Sequence, residues 1–184
     1  KDADQKPVQV AVFSNGDEVE LIQNGTSVGK LTSGTRLAAD LPHSFLFDLT
    51  YLPGTLEAVS YKDGKEISRD TLVTTGPAKE LRLIQEKKEL SANGHEVAYV
   101  RVEIVDENGI VVPDAALKLS AAVEGVGSLA AFGSSNPITD ENYTSGTFTS
   151  YHGTATAIIR SGYQTGMYTL TVGCEELDEK KIAF

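Results

Sequence analysis

Carboxylates are the side chains through which this chain could most readily do chemistry: 26 Asp and Glu stand against 16 Lys and Arg, a net charge of −10. Cleaving a glycosidic bond would need two of them facing each other across a sugar-sized cleft. Here the acids sit beside turn-forming pairs (Asp17, Glu18, Asp63, Asp106, Glu107) or in the run Glu175-Glu176-Leu177-Asp178-Glu179. Such positions predict solvated turn and edge charges, not an acid–base pair. His43, His95 and His152 have no partners at metal-ligand spacing, so no metal site is expected. Cys174 is the single cysteine, which excludes an internal disulfide and a multi-cysteine zinc site. Nothing around it marks a nucleophile. The sequence has no phosphate loop, and no cofactor is expected.

Sugar contact is the remaining chemistry. Pyranose rings stack their apolar face on flat aromatic side chains. The chain has no Trp, 7 Tyr and 6 Phe. Phe13, Phe45, Phe47, Tyr99, Phe148 and Tyr168 fall inside alternating runs and are assigned to the core by default. What is left is the polar stretch Gly133 to Gly153, which holds Tyr143, Tyr151 and His152 among Ser, Thr and Asn. Long polar segments tend to carry function. These three are the candidate carbohydrate-binding residues, the alternative being an ordinary polar crossover between sheets.

The elements that would carry them are strands. Val8, Val10 and Val12 share one face, as do Val19 and Leu21, then Phe45, Phe47, Leu49 and Tyr51. Ala98, Val100, Val102 and Ile104 repeat the pattern with Tyr99, Arg101 and Glu103 opposite; Leu117 to Val123, Ala155 to Ile159 and Tyr168 to Val172 follow. A period of two places one face on a core and one on water, the mark of antiparallel sheet. Asn15-Gly16, Asn24-Gly25, Asp63-Gly64, Asn93-Gly94 and Asn108-Gly109 suit two-residue hairpin turns. The one stretch with a trace of helical spacing, Ala78 to Leu90, is favoured as strand. The expectation is an all-β chain of two tandem immunoglobulin-like β-sandwiches, residues 1–76 and 77–184, divided at Thr74-Thr75-Gly76-Pro77.

Composition sets the outer bounds. An acidic surface repels phosphate backbones, so nucleic acid is not an expected partner. No apolar run reaches the ~18–20 residues that span a bilayer, so membrane insertion is not expected either. The chain opens at Lys1 in a charged stretch, which reads as a segment of something longer.

The run Phe13-Ser14-Asn15-Gly16-Asp17-Glu18-Val19-Glu20-Leu21-Ile22-Gln23-Asn24-Gly25-Thr26-Ser27-Val28-Gly29 resembles a pattern of family 2 glycoside hydrolases of the bacterial β-galactosidase kind. Tyr51-Leu52-Pro53-Gly54-Thr55-Leu56 through Tyr61 and Gly64-Lys65 are similar to the elements that follow in that family. Leu90 to Gly94, Val100 to Asp106, Gly109, Val112-Pro113 and Glu124-Gly125-Val126-Gly127 resemble its last immunoglobulin-like domain. Gly133-Ser134-Ser135-Asn136-Pro137 departs from the Gly-Asn-Gly-Asp-Pro type turn of many relatives. The resemblance implies a non-catalytic C-terminal accessory region whose partner is the parent's catalytic barrel, which would carry the acid and nucleophile. It implies a bacterial parent acting in the periplasm or at the cell surface. A carbohydrate-binding module and an immunoglobulin-like stalk of a surface adhesin are the alternatives.

Overall fold

The computed structural model describes residues 5–32 and 43–184. All its regular elements are strands, as the alternating pattern requires, and the chain divides into two compact units, Lys1–Thr74 and Thr75–Phe184.

In the first unit, β1 (Pro7–Phe13) pairs antiparallel with β4 (Ser44–Thr50). Facing them is a sheet of order β3-β2-β5-β6, made of β2 (Glu18–Gln23), β3 (Thr26–Thr32), β5 (Thr55–Lys62) and β6 (Lys65–Val73). Val19, Leu21, Phe45 and Phe47 form the core between the sheets, with Val10, Val12, Leu49, Leu56 and Ala58 packed on it. Burying each such Leu or Phe contributes about 1.5–3 kcal/mol.

Two of the Asx-Gly pairs close hairpins as expected. Asn24-Gly25 joins β2 to β3 with φ of 50° and 77°, and Asp63-Gly64 joins β5 to β6 with φ of 48° and 73°. Positive φ at both positions matches the turn to the right-handed twist of the strands. Asn15-Gly16 does something else. It carries the chain from β1 in one sheet to β2 in the other, so there is no ladder for it to close.

The second unit has a sheet of order β10-β12-β8-β7 and another of order β11-β9-β13-β14. The strands are β7 (Glu80–Gln85), β8 (Val97–Val105), β9 (Lys118–Gly125), β10 (Ser128–Gly133), β11 (Thr147–Thr149), β12 (Thr154–Arg160), β13 (Tyr168–Gly173) and β14 (Lys180–Ala183). The core runs between the sheets through Leu81, Val100, Val102, Ile104, Leu119, Phe132, Phe148, Ala157, Ile159 and Leu170. The Ala78–Leu90 stretch supplies strand β7, with Leu81 inward.

Two aromatics assigned to the core are not there. Phe13 is 68% and Tyr99 47% exposed, whereas Phe45, Phe47, Phe148 and Tyr168 are buried. Phe13 alternates with Val12 and so points away from the face that Val8, Val10 and Val12 turn inward. Tyr99 alternates with Ala98 and Val100, which hold the inner face of β8. Period two decides which residues share a face, and both rings lie on the outer one.

Candidate functional site

The polar stretch 133–153 is not one loop. Strand β10 ends at Gly133, a connection follows, β11 takes Thr147–Thr149, and a tight turn at His152-Gly153 leads into β12. Its polar residues are engaged in building that path. Ser150 Oγ donates to Ala115 O at 3.0 Å and accepts from Leu117 N at 2.9 Å. Glu141 accepts from the Lys118 ammonium and from Thr149 N and Oγ1. The bond from Lys118, then those from Thr149, hold its carboxyl below the usual glutamate value. Asn142 Oδ1 accepts from Thr144 N and Oγ1, both at 2.9 Å. At the turn that departs from the family pattern, Ser134 Oγ is buried with no partner among the described residues.

The three candidate aromatics fall into two groups. Tyr143 packs on the buried Phe148, ring centroids 4.7 Å apart, and its carbonyl accepts from Phe132 N at 2.8 Å. The ring lies so close to Gly133 that a Cβ there would stand 2.3 Å from Tyr143 Cδ1. Glycine is therefore needed at that position to let the ring cover the end of the core. Tyr151 and His152 pair with each other instead, centroids 4.1 Å apart at 66°. They sit on a two-residue turn in which Tyr151 and Thr154 exchange backbone bonds of 2.9 and 3.1 Å. His152, at φ 50°, and Gly153, at φ 70°, give it the geometry of the Asx-Gly hairpins. Among the described residues no ring contact joins Tyr143 to this pair. The structure thus assembles a ring lid and a hairpin tip, not a single aromatic platform.

Two acids read as solvated are buried. Glu103 is 5% exposed: its Oε2 receives Arg82 Nε at 2.7 Å and Nη2 at 2.6 Å, and its Oε1 receives Arg101 Nε at 2.9 Å. Asp106, 1% exposed, accepts from Gly76 N, Asn108 N and Ile110 N, each at 2.9 Å. The bonds from Gly76 and Ile110 and then Asn108 hold its carboxyl below the usual aspartate value. Both signals were in the sequence. Arg82 and Glu103 stand opposite each other in the β7–β8 register, and Asp-x-Asn-Gly is a turn in which Asp caps its own backbone. What could not be read was that water is excluded there, because that depends on the neighbouring strand and on residue 76.

Chemically this leaves little for catalysis. The oxygens of Glu103 are occupied by guanidinium nitrogens, and Asp106, held ionised by backbone N–H groups, cannot donate a proton at neutral pH. Among the described residues no three His, Cys, Asp or Glu side chains group as a metal would require.

Comparison with known proteins agrees with that geometry. The family model described as glycoside hydrolase family 2 C-terminal domain 5 matches residues 81–183, and a domain of unknown function, DUF4982, matches residues 5–68. A β-galactosidase from Bacteroides ovatus is 29% identical over 165 residues, 90% of this chain and 19% of its own length. A β-galactosidase from Thermoanaerobacter pseudethanolicus is 33% identical over 144 residues, 72% of this chain and again 19% of its own length. The crystal structure of a family 2 glycosyl hydrolase from Bacteroides cellulosilyticus superposes with a TM-score of 0.92 at 29% identity, covering 98% of this chain and 23% of that one. The chain therefore spans about a fifth of the length of the enzymes it resembles. Two sandwiches, their buried acids spent on structure, match one region of much longer hydrolases: this chain belongs to the family 2 glycoside hydrolase C-terminal domains.

Proposed function

We propose that the chain is a non-catalytic accessory region of a β-galactosidase-like hydrolase, built to pack on the parent's catalytic barrel. The observation that carries this reading is the engagement of Glu103 and Asp106 in fixed structural bonds, within a chain matched to the family's C-terminal domains. A retaining hydrolase needs an acid and a nucleophile ~5 Å apart with free oxygens toward the sugar. The described acids with such burial face arginines and backbone instead.

A packing role needs apolar surface to cover. In the first unit, Phe13 and Leu72 are 68% and 65% exposed and flank a groove of about 350 Å³ between β1 and the inner face of β5 and β6. Such a patch on a small sandwich suits burial against a larger body.

The test is turnover of a nitrophenyl galactoside. The chain by itself should show none, and the full-length parent should show activity that survives Glu103→Gln. Turnover by this chain that is abolished by changing one of its own acids would overturn the proposal.

A further inference from the structure

The two sheets of the first sandwich are unequal: two strands, β1 and β4, face four. Strands lie ~4.8 Å apart, so the smaller sheet spans about half the width of the larger one. The consequence is seen on β6, which is exposed along its whole length, on the inner as well as the outer face. Ser68, Asp70 and Leu72 alternate onto the inner face and line the groove with Leu56 and Ala58 of β5. Among the described residues no further strand lies beside β1 to cover them.

The free edge of β1 is shaped for such a strand. Lys6 O accepts from Tyr51 N at 2.9 Å and Ser14 N donates to His43 O at 2.9 Å, which sets the bonded positions of the β1–β4 ladder at even numbers. An antiparallel pair alternates, so the N–H and C=O groups of Gln9, Ala11 and Phe13 point away from β4. They have no backbone partner among the described residues, and Ala11 and Phe13 line the groove. Open strand edges are ordinarily defended by charged side chains. Strand β6 has Lys65, Glu66, Arg69 and Asp70. Strand β1, Pro7-Val8-Gln9-Val10-Ala11-Val12-Phe13, carries no charge at all. It is an edge without a guard, next to uncovered apolar surface.

We propose that β1 is a strand acceptor: an extended segment of the parent polypeptide, from outside this chain, adds to its free edge and closes the sandwich over β5 and β6. This rests on the reading that the chain packs on a larger parent, and it states how the first unit does so. Length allows it, since this chain spans 19% of each of the two β-galactosidases it resembles. Backbone bonds supply the affinity of such an addition, and alternate side chains its specificity. The groove selects those side chains. Leu56, Ala58 and Leu72 call for small or branched apolar residues, and Asp70 for a basic one. Among the described residues Asp70 makes no ion pair, whereas Arg69 beside it is held by Glu57 and Glu66. The net charge of −10 on this chain favours a basic segment further.

The experiment is hydrogen exchange, read residue by residue by mass spectrometry, on this chain and on the full-length parent. In this chain the amides of Gln9, Ala11 and Phe13 should exchange rapidly while those of Val8, Val10 and Val12 are protected. In the parent the first three should slow by on the order of a hundredfold. Ala11→Pro removes a donor that the β1–β4 ladder does not use, so this chain should keep its melting temperature. In the parent the same change should release the protection of Gln9 and Phe13. Asp70→Lys, at an exposed position, should also leave this chain folded, and should speed exchange at those amides in the parent about tenfold. Equal exchange in the two proteins would overturn the strand. So would protection that survives either variant, or protection in this chain alone that grows with its concentration and so marks a second copy. A Leu72→Cys thiol labelled as fast in the parent as in this chain would sink the packing reading as well, whereas slow labelling with unprotected amides would sink the strand alone.

Discussion

Arg82 grips Glu103 with two guanidinium nitrogens on one carboxylate oxygen, 2.7 and 2.6 Å away, while its third nitrogen donates to Gly109 O at 2.8 Å. One side chain on β7 thereby ties β8 to the turn that follows it. Arg82→Ala should destabilise the second sandwich by about 1–3 kcal/mol, because it leaves a buried carboxylate short of a partner. Arg101→Ala should cost less, since Arg101 gives a single contact and is the more exposed of the two. Urea denaturation of both variants, read against Glu103→Gln, measures the difference.

Asp106 makes the second sandwich acid-sensitive. Its folded carboxyl titrates below the unfolded value, mainly through the bonds from Gly76 and Ile110. The stabilisation is therefore full above the ordinary aspartate pKa of ~3.9 and is lost as pH falls through the lower folded value. Melting temperature should fall below about pH 4 in the natural chain. Asp106→Asn should melt lower at neutral pH and show a flatter acid limb.

Glu96, in the loop before β8, behaves alike: it accepts from Ser91 N at 2.7 Å and from Lys87 Nζ at 3.0 Å. The bonds from Ser91 and then Lys87 pull its carboxyl down to about 2. Its contribution is full above the ordinary glutamate value of ~4.3 and is lost progressively as pH falls from there through that folded value. Glu96→Gln should speed amide exchange at Ser91 at neutral pH while the strands keep their protection.

Tyr143 is expected to act as a lid. Tyr143→Ala should cost about 1–2 kcal/mol by uncovering Phe148, a ring that is half exposed losing part of a full burial. Gly133→Ala should cost a similar amount, since the added methyl meets the ring at 2.3 Å. Thermal melts of both variants check this, and neutral results would return Tyr143 to the list of free surface aromatics.

Among the described glycines of the first sandwich, Gly54 leaves the least room for a side chain. It sits at φ 132°, and a Cβ would come within 1.9 Å of Asn24 Oδ1, the atom that accepts from Thr55 N at 2.7 Å. Gly54→Ala should cost about 2–3 kcal/mol from backbone strain and overpacking together. The loss should appear in the melting of residues 5–32 and 43–74, with the second unit unchanged.

Much of this architecture was legible because period two is written locally. Val19 and Leu21, or Val100, Val102 and Ile104, announce an inner face without help from the rest of the chain. The turns at Asn24-Gly25 and Asp63-Gly64 were equally local. Failures came where the answer lay across the fold. Asn15-Gly16 looks like a hairpin until one knows that its strands belong to different sheets. Glu103 lies on the outward face by alternation and is buried because two arginines close over it. Ser91, Ser161 and Tyr168 line one groove although no sequence window contains all three, whereas Tyr143 and Tyr151 share a window and no ring contact joins them among the described residues.

Strand β6 carries a consequence for handling the protein. Among the described residues it is the edge of its sheet and is exposed along all nine residues, and edge strands of this kind are templates for pairing with another chain. Lys65, Glu66, Arg69 and Asp70 interrupt that strand, and Arg69 is anchored to Glu57 at 2.6 Å and Glu66 at 3.1 Å. A neighbour adding itself there must strip water from these charges. The edge is thus guarded against fibre growth by charge instead of by a covering element. Replacing its charged residues with Thr or Val should raise self-association at high concentration, which light scattering would read.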